Sequence, residues 1–249
     1  MAETYAYTDA MGRGQTGEKA SGSAAFRRYS EDEMPEIILP EPRAPIVLQG
    51  DLDTEIFDAI RRDSHLKVGI DTETSGLDWR EESLNLVQIS FAGQPVIVQD
   101  LRPKPPLLSI LLGDSEVTKI FHFAPFDLRF MTHNWGTRAR NVMCTKVMSK
   151  ILHPEEDFQH SLASLLGSHF GITLDKDSDV RVSDWSSPEL TKRQLLYACN
   201  DVLYLEPLAE RMRAELIERG LWSLARRCFE HLPTRVELEL DGYGDVFVY

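Results

Sequence analysis

The chain has 249 residues, 42% of them hydrophobic, and carries a formal net charge of −13. That is enough apolar material for one large domain with a proper core, and no apolar run is long enough to be a membrane-spanning helix. The acid excess argues against a long nucleic-acid track, because affinity for long polyanions comes mostly from Lys and Arg neutralising phosphates; a very short oligonucleotide, with few phosphates, remains compatible.

Residues 1 to about 35 are rich in Gly, Ser, Ala and charge and show no period of 2 or 3.6, so a disordered leader is expected there. Pro40, Pro42 and Pro45 extend it as a linker, giving a leader-and-linker segment over 1–45. The lack of a basic region followed by an apolar core argues against a secretory signal, and Glu3, Asp9 and Glu18 argue against an organelle transit peptide, so the cytoplasm is the expected location. Ile46-Val47-Leu48 is an edge strand or a packing segment. Asp51 to Arg62 reads as a short helix with Ile56, Phe57 and Ile60 on one face. Leu66, Val68 and Ile70 alternate with Lys67 and Gly69, a strand pattern. Further strands are expected over Leu84–Phe91, Pro95–Gln99, Thr118–Phe123 and Asn141–Thr145. Pro106 to Leu112 reads as a helix ended by Gly113, and Pro125 opens another at its first turn. His160 to Phe170 reads as a helix stopped by Gly171. Thr191 and Gln194 make a capping box ahead of Leu195-Leu196-Tyr197. Pro207 breaks or kinks that helix, and a second rod continues to Arg219 before Gly220. Strands with crossing helices followed by a helical half give an α/β layered domain over 46–220, with 221–249 as a C-terminal tail.

Cys144, Cys199 and Cys228 are few and widely spaced, so neither a zinc site nor a disulfide framework is expected. Cys199 reads as a small buried hydrophobe.

Three motifs carry chemistry. Asp71 and Glu73 stand two apart where a buried strand ends, and residues i and i+2 of a strand share a face. Hard divalent cations with oxygen ligands want such a carboxylate pair. Asp127 follows a strand and Pro125, which puts it in the first turn of a helix. Tyr197 and Asp201 are one helical turn apart and face the same way. Each motif alone also fits a bland reading: an acidic turn, a carboxylate complementing a helix dipole, an amphipathic helix. Their conjunction on one sheet-and-helix frame is what points to a site with four acids and a phenol.

The constellation resembles the DEDD superfamily of 3′-5′ exonucleases, in the subclass whose third motif carries a tyrosine. Asp71-Thr72-Glu73-Thr74 resembles the first motif. His122-Phe123-Ala124-Pro125-Phe126-Asp127 resembles the second, in the His form of the ribonuclease D branch. Tyr197-Ala198-Cys199-Asn200-Asp201 resembles the third. The likeness covers about residues 46–219 and implies a ribonuclease-H-like (DnaQ-like) fold, a mixed central sheet flanked by helices. It implies that Asp71, Glu73, Asp127 and Asp201 hold two divalent cations, Mg²⁺ or Mn²⁺, for a metal-assisted hydrolysis, with Tyr197 orienting the attacking water. Leu77 resembles the wedge between terminal bases, and Thr74, His122 and Phe126 are implied substrate contacts.

Few residues follow Gly220, which leaves no room for the helical accessory domains of ribonuclease D. The stretch Ala225 to Arg235 and the finish Asp245-Val246-Phe247 are similar to the ending of the bacterial nanoRNase C group. That resemblance implies a homo-oligomeric ring acting on short single-stranded RNA, down to dinucleotides, to give 5′-mononucleotides, with no membrane partner. The 45-residue leader departs from the group's compact members, and Pro125 stands where a basic residue is expected. Two other readings are an exonuclease on longer RNA or DNA, as in RNA 3′-end trimming or DNA repair, and a catalytically silent nucleic-acid-binding module. The intact acid set opposes the silent module; the negative charge opposes long substrates.

Overall fold

The computed structural model describes residues 37–62, 67–174 and 178–248, so the expected leader up to residue 36, and Leu66 in the expected first long strand, lie outside the described residues. In chain order the elements are β1 (Ile46–Gln49), α1 (Thr54–Arg62), β2 (Lys67–Thr74), β3 (Leu84–Phe91), β4 (Gln94–Gln99), α2 (Pro106–Gly113), β5 (Thr118–Phe121), α3 (Ala124–Trp135), β6 (Val142–Cys144), α4 (Thr145–Leu152), α5 (Leu162–Phe170), α6 (Ser178–Arg181), α7 (Lys192–Leu203), α8 (Leu205–Glu218) and α9 (Trp222–Leu240). The strands form one sheet in the order β1-β4-β3-β2-β5-β6. β3 is antiparallel to both of its neighbours, and the other pairings are parallel. The sheet is therefore mixed and flanked by helices, the α/β class expected.

Local chemistry explains the main boundaries. Ala92 and Gly93 both have positive φ, 48° and 72°. That pair makes the two-residue turn whose twist suits a hairpin, and it joins β3 to β4. Helix α1 begins at Thr54 rather than Asp51, because Asp51 is used elsewhere. Its carboxylate accepts from the backbone N–H groups of Leu107 and Leu108, at 2.6 and 3.0 Å, and so caps the start of α2. The capping box of Thr191 and Gln194 starts α7 as expected. Pro207 falls in the first turn of α8, where a missing N–H costs little.

The stretch after Gly220, read as a tail, is mostly the 19-residue helix α9. Ala225, Phe229, Leu232 and Val236 are buried in the same apolar core as the sheet. That burial outweighs the interior Pro233, which a helix normally disfavours by about 3 kcal/mol.

Side chains alternate across the sheet, and the two faces differ. Val68 and Ile70 on β2, Val87 and Ile89 on β3, and Val96 and Val98 on β4 belong to the large core, with Leu128 and Phe130 of α3. The opposite face carries Leu86 and Ile97, which pack with Trp185, Ala198 and Cys199 under α7. Gly69, Asp71 and Glu73 lie on that second face. A Cβ added at Gly69 would stand 2.7 Å from the Val202 carbonyl oxygen. The glycine is what lets the end of α7 lie directly on β2 and bring Asp201 to the strand.

Candidate active site

The site lies at the C-terminal end of β2, where α7 crosses one face of the sheet and α3 begins on the other. Asp71 and Glu73 project from β2 toward α7, and Tyr197 and Asp201 project from α7 toward them. The β2–β3 ladder shifts register between Glu73 and Thr74, so regular pairing is disturbed immediately after the second acid. Asp71, Glu73 and Asp201 each bring one carboxylate oxygen to within 4.8 Å of the others. Asp127 stands outside that triad. It reaches the cleft from the first turn of α3, and Thr72, which points to the α3 face, donates from its hydroxyl to Asp127 Oδ1 at 2.7 Å. The four acids thus come from both faces of one sheet and meet over its end.

The cleft is small, about 220 Å³, and is lined by Asp71, Thr72, Glu73, His122, Phe123, Phe126, Asp127, Leu162, Tyr197 and Asp201. No Lys or Arg is among these lining residues. The acids therefore crowd together with no cation lining the cleft beside them. Burial, then the charges of Asp127, Asp201 and Glu73, holds the Asp71 carboxyl well above its ordinary range. Burial, then Asp201 and Asp127, pushes Glu73 up to about 9. Burial alone raises Asp201 to about 7; it also raises Asp127 to about 7, against the bond from Thr72. Desolvated like charges at this spacing favour protons or a hard cation. The donor set fits a divalent metal: oxygen ligands only, converging, with no Lys or Arg among the lining residues.

Tyr197 is held above its usual value by burial and by the neighbouring Asp201, Glu73 and Asp71, so its phenol keeps its proton at any working pH. His122 lines the cleft with its ring fixed: Nδ1 is 2.9 Å from Thr145 Oγ1. Burial, then Lys146, lowers it to about 4, which makes it a neutral wall at pH 7. Phe126 also lines the cleft. Thr74 and Leu77 are not among the lining residues. The Thr74 hydroxyl donates to the Gly76 carbonyl at 2.6 Å, and Leu77 stands on the following loop, 82% exposed.

Three lining residues have no role in the sequence reading. Thr72 was visible only as the middle of Asp-Thr-Glu, and its bond to a residue 55 positions away leaves no local trace. Phe123, at the start of α3, has a left-handed backbone with φ of 76°, unusual for a bulky residue and a mark of functional sites. The Lys146 Nζ lies 4.6 Å from its ring centre. Leu162 arrives from α5, far along the chain.

Residues 47–217 match the family described as 3′-5′ exonuclease. Ribonuclease D of Gluconacetobacter diazotrophicus is 29% identical over 171 residues, which cover 67% of this chain and 42% of that protein. The match therefore spans less than half of that relative. Among solved structures, Brucella melitensis NrnC bound to pGG has a TM-score of 0.75 at 36% identity, covering 84% of this chain and 100% of that one. The same Brucella protein with bound Mg²⁺ gives a TM-score of 0.75 at 35% identity, covering 83% and 100%.

Proposed function

Because the chain belongs to the 3′-5′ exonuclease family, in its ribonuclease D and NrnC form, we propose that its substrates are short oligoribonucleotides, down to dinucleotides, released as 5′-mononucleotides. The observation that carries this reading is the cleft: small, fringed by acids, and without a Lys or Arg among its lining residues. A long RNA needs a run of cations to neutralise its phosphates, and a dinucleotide does not. The Brucella melitensis relative, solved with pGG bound, supports a short ligand.

Asp71, Glu73 and Asp201 would hold the divalent metal that the family requires, with Asp127 completing the set; two ions, Mg²⁺ or Mn²⁺, suit four carboxylates. When bound, the metal supplies positive charge for the developing phosphorane and a more acidic water. The chain's own residues do the rest. Thr72 fixes Asp127 so that it faces the cleft. Tyr197, kept as a phenol, donates a hydrogen bond that orients the incoming water. Phe123, Phe126 and Leu162 offer apolar contact to a base, and neutral His122 bounds the cleft without adding charge. Leu77 acts from the exposed loop as a wedge against the next base, and Thr74 shapes that loop.

The chain acts as a homo-oligomeric ring in this reading. The exposed apolar side chains of Tyr243, Val246, Phe247 and Val248 at its end support such a contact. The proposed compartment is the cytoplasm; no described helix is long and apolar enough to cross a membrane. Digestion of end-labelled RNAs of two, five and twenty nucleotides, beside DNA, with Mg²⁺ and with Mn²⁺, tests the substrate. A specificity constant for the dinucleotide at least equal to that for the longest RNA is expected. A steep preference for the longest RNA, or for DNA, would favour the long-substrate reading. Light scattering at micromolar concentration tests the ring, and a monomer would refute it.

A further inference from the structure

Gln88 lies in the middle of β3, fully buried and directly opposite Asp71 of β2. Its Nε2 donates to Asp71 Oδ2 at 2.6 Å. Its own Oε1 is buried without a hydrogen-bond partner among the described residues. A buried amide oxygen left unpaired is a cost, and a leucine or methionine in this apolar strand would avoid it. The compensating property is on the nitrogen. A carboxamide N–H donor carries no charge, so it can hold one carboxylate in place without neutralising the acids around it. Lysine at this point would neutralise the acids and compete with a cation; a hydrophobe would leave them unrestrained.

We infer that Gln88 is a positioning residue that turns Asp71 so that it meets a divalent cation through one oxygen, and that it thereby sets the preference of the site for Mg²⁺ over Ca²⁺. An oxygen already accepting a short hydrogen bond is the poorer ligand. With Oδ2 committed to Gln88, Asp71 is biased toward one-oxygen binding. Mg²⁺ demands a near-octahedral shell and suits single-oxygen carboxylates, whereas Ca²⁺ accepts more oxygens and carboxylates that bind through both. Without Gln88, Asp71 is free to rotate and offer both oxygens, which suits the larger ion. Partners of metal ligands commonly change metal affinity about 10–100-fold when removed.

The inference rests on the metal-holding role proposed for the acids, and its test reads metal binding rather than hydrolysis. Full-length Gln88→Met and Gln88→Leu are stripped of metal and titrated with Mg²⁺ and with Ca²⁺ by calorimetry, beside the parent. Thermal midpoints are recorded without metal. The expected result is a folded variant with a cooperative metal-free midpoint. Mg²⁺ affinity should fall about tenfold or more, with Ca²⁺ affinity falling less or rising. An unchanged ratio of the two affinities in a folded variant would overturn the inference. So would failure of both variants to fold, since Gln88 would then be a structural residue. A parent that binds Mg²⁺ but cuts no RNA would instead count against the exonuclease reading and leave this result interpretable.

Discussion

On β2, Val68 and Ile70 point to one face of the sheet, while Asp71 and Glu73 point to the other, and the two faces contribute opposite things. The first face meets α3 in the large core, where every added contact with Val87, Ile89, Val96 or Val98 stabilises the fold. The second face keeps only a smaller apolar cluster, with Leu86 and Ile97 under α7. It spends a glycine to admit α7 and places enclosed acids side by side, so the metal-free fold carries their repulsion. The difference teaches that one strand can be both the stabiliser and the site: parity sends Asp71 and Glu73 to the α7 face, while Thr72, on the core face at the strand's end, holds Asp127. It also teaches that a variant of a core residue such as Ile89 should act on stability, and a variant of Asp71 or Asp201 on metal and rate.

The largest separation between the faces should appear when an acid is removed. Asp71→Ala or Asp201→Ala should lower turnover about a thousandfold or more, since losing a metal ligand forfeits several kcal/mol of transition-state stabilisation. The fold should survive, as read by circular dichroism; a folded Asp71→Ala protein turning over near the parent rate would sink the mechanism. On the other face, Ile89, buried completely, should give the mirror image. Ile89→Ala should cost about 2–5 kcal/mol of stability in urea while the rate per folded molecule stays at the parent value. A large rate loss there, with normal stability, would erase the division.

A smaller effect is expected at Tyr197. Removing only the hydroxyl, in Tyr197→Phe, should slow cleavage about 100-fold and leave the Mg²⁺-induced rise in thermal midpoint unchanged. Cleavage at the parent rate under saturating metal would withdraw the water-orienting role.

The mildest contrast is with pH. Glu73 is raised to about 9, and Asp127 and Asp201 to about 7, from ordinary values near 4. An acid whose folded pKa is raised binds more protons folded than unfolded between the two values, so this group's contribution to stability is lost as pH rises through that window. Ions that replace those protons bind better as pH rises. The Mg²⁺-induced gain in stability should therefore grow between pH 6 and pH 9, by up to about 1.4 kcal/mol per pH unit for each proton displaced. Comparing parent with and without Mg²⁺ cancels groups elsewhere, such as His169, whose burial lowers it to about 4, and Lys119, lowered to about 7. A gain that is flat with pH would separate the raised acids from the metal.

Much of the first face and part of the second were legible in the sequence. The strand runs of 84–91 and 95–99, the stop at Gly171 and the capping box at Thr191 are local signals, and local signals survive into the fold. The four acids were legible because strand parity and the helical turn set which neighbours share a side. Thr72 and Gln88 were not, because their roles exist only across strands and helices, through partners 55 and 17 positions away. Helix α9 was missed for a related reason: Pro233 and scattered arginines hide an apolar stripe whose worth comes from the core it meets. Asp51 looked like the start of a helix and instead caps another one, a contact that reaches 56 residues along the chain.

The division between the faces is tested most directly by the thermal midpoints of the parent and Asp71→Asn, each with and without Mg²⁺. Asparagine keeps the shape and removes one of the crowded charges. A metal-free midpoint above the parent's is expected for Asp71→Asn, with the Mg²⁺-induced rise largely lost. A lower metal-free midpoint together with an undiminished response to Mg²⁺ would contradict the assignment of this face to metal binding.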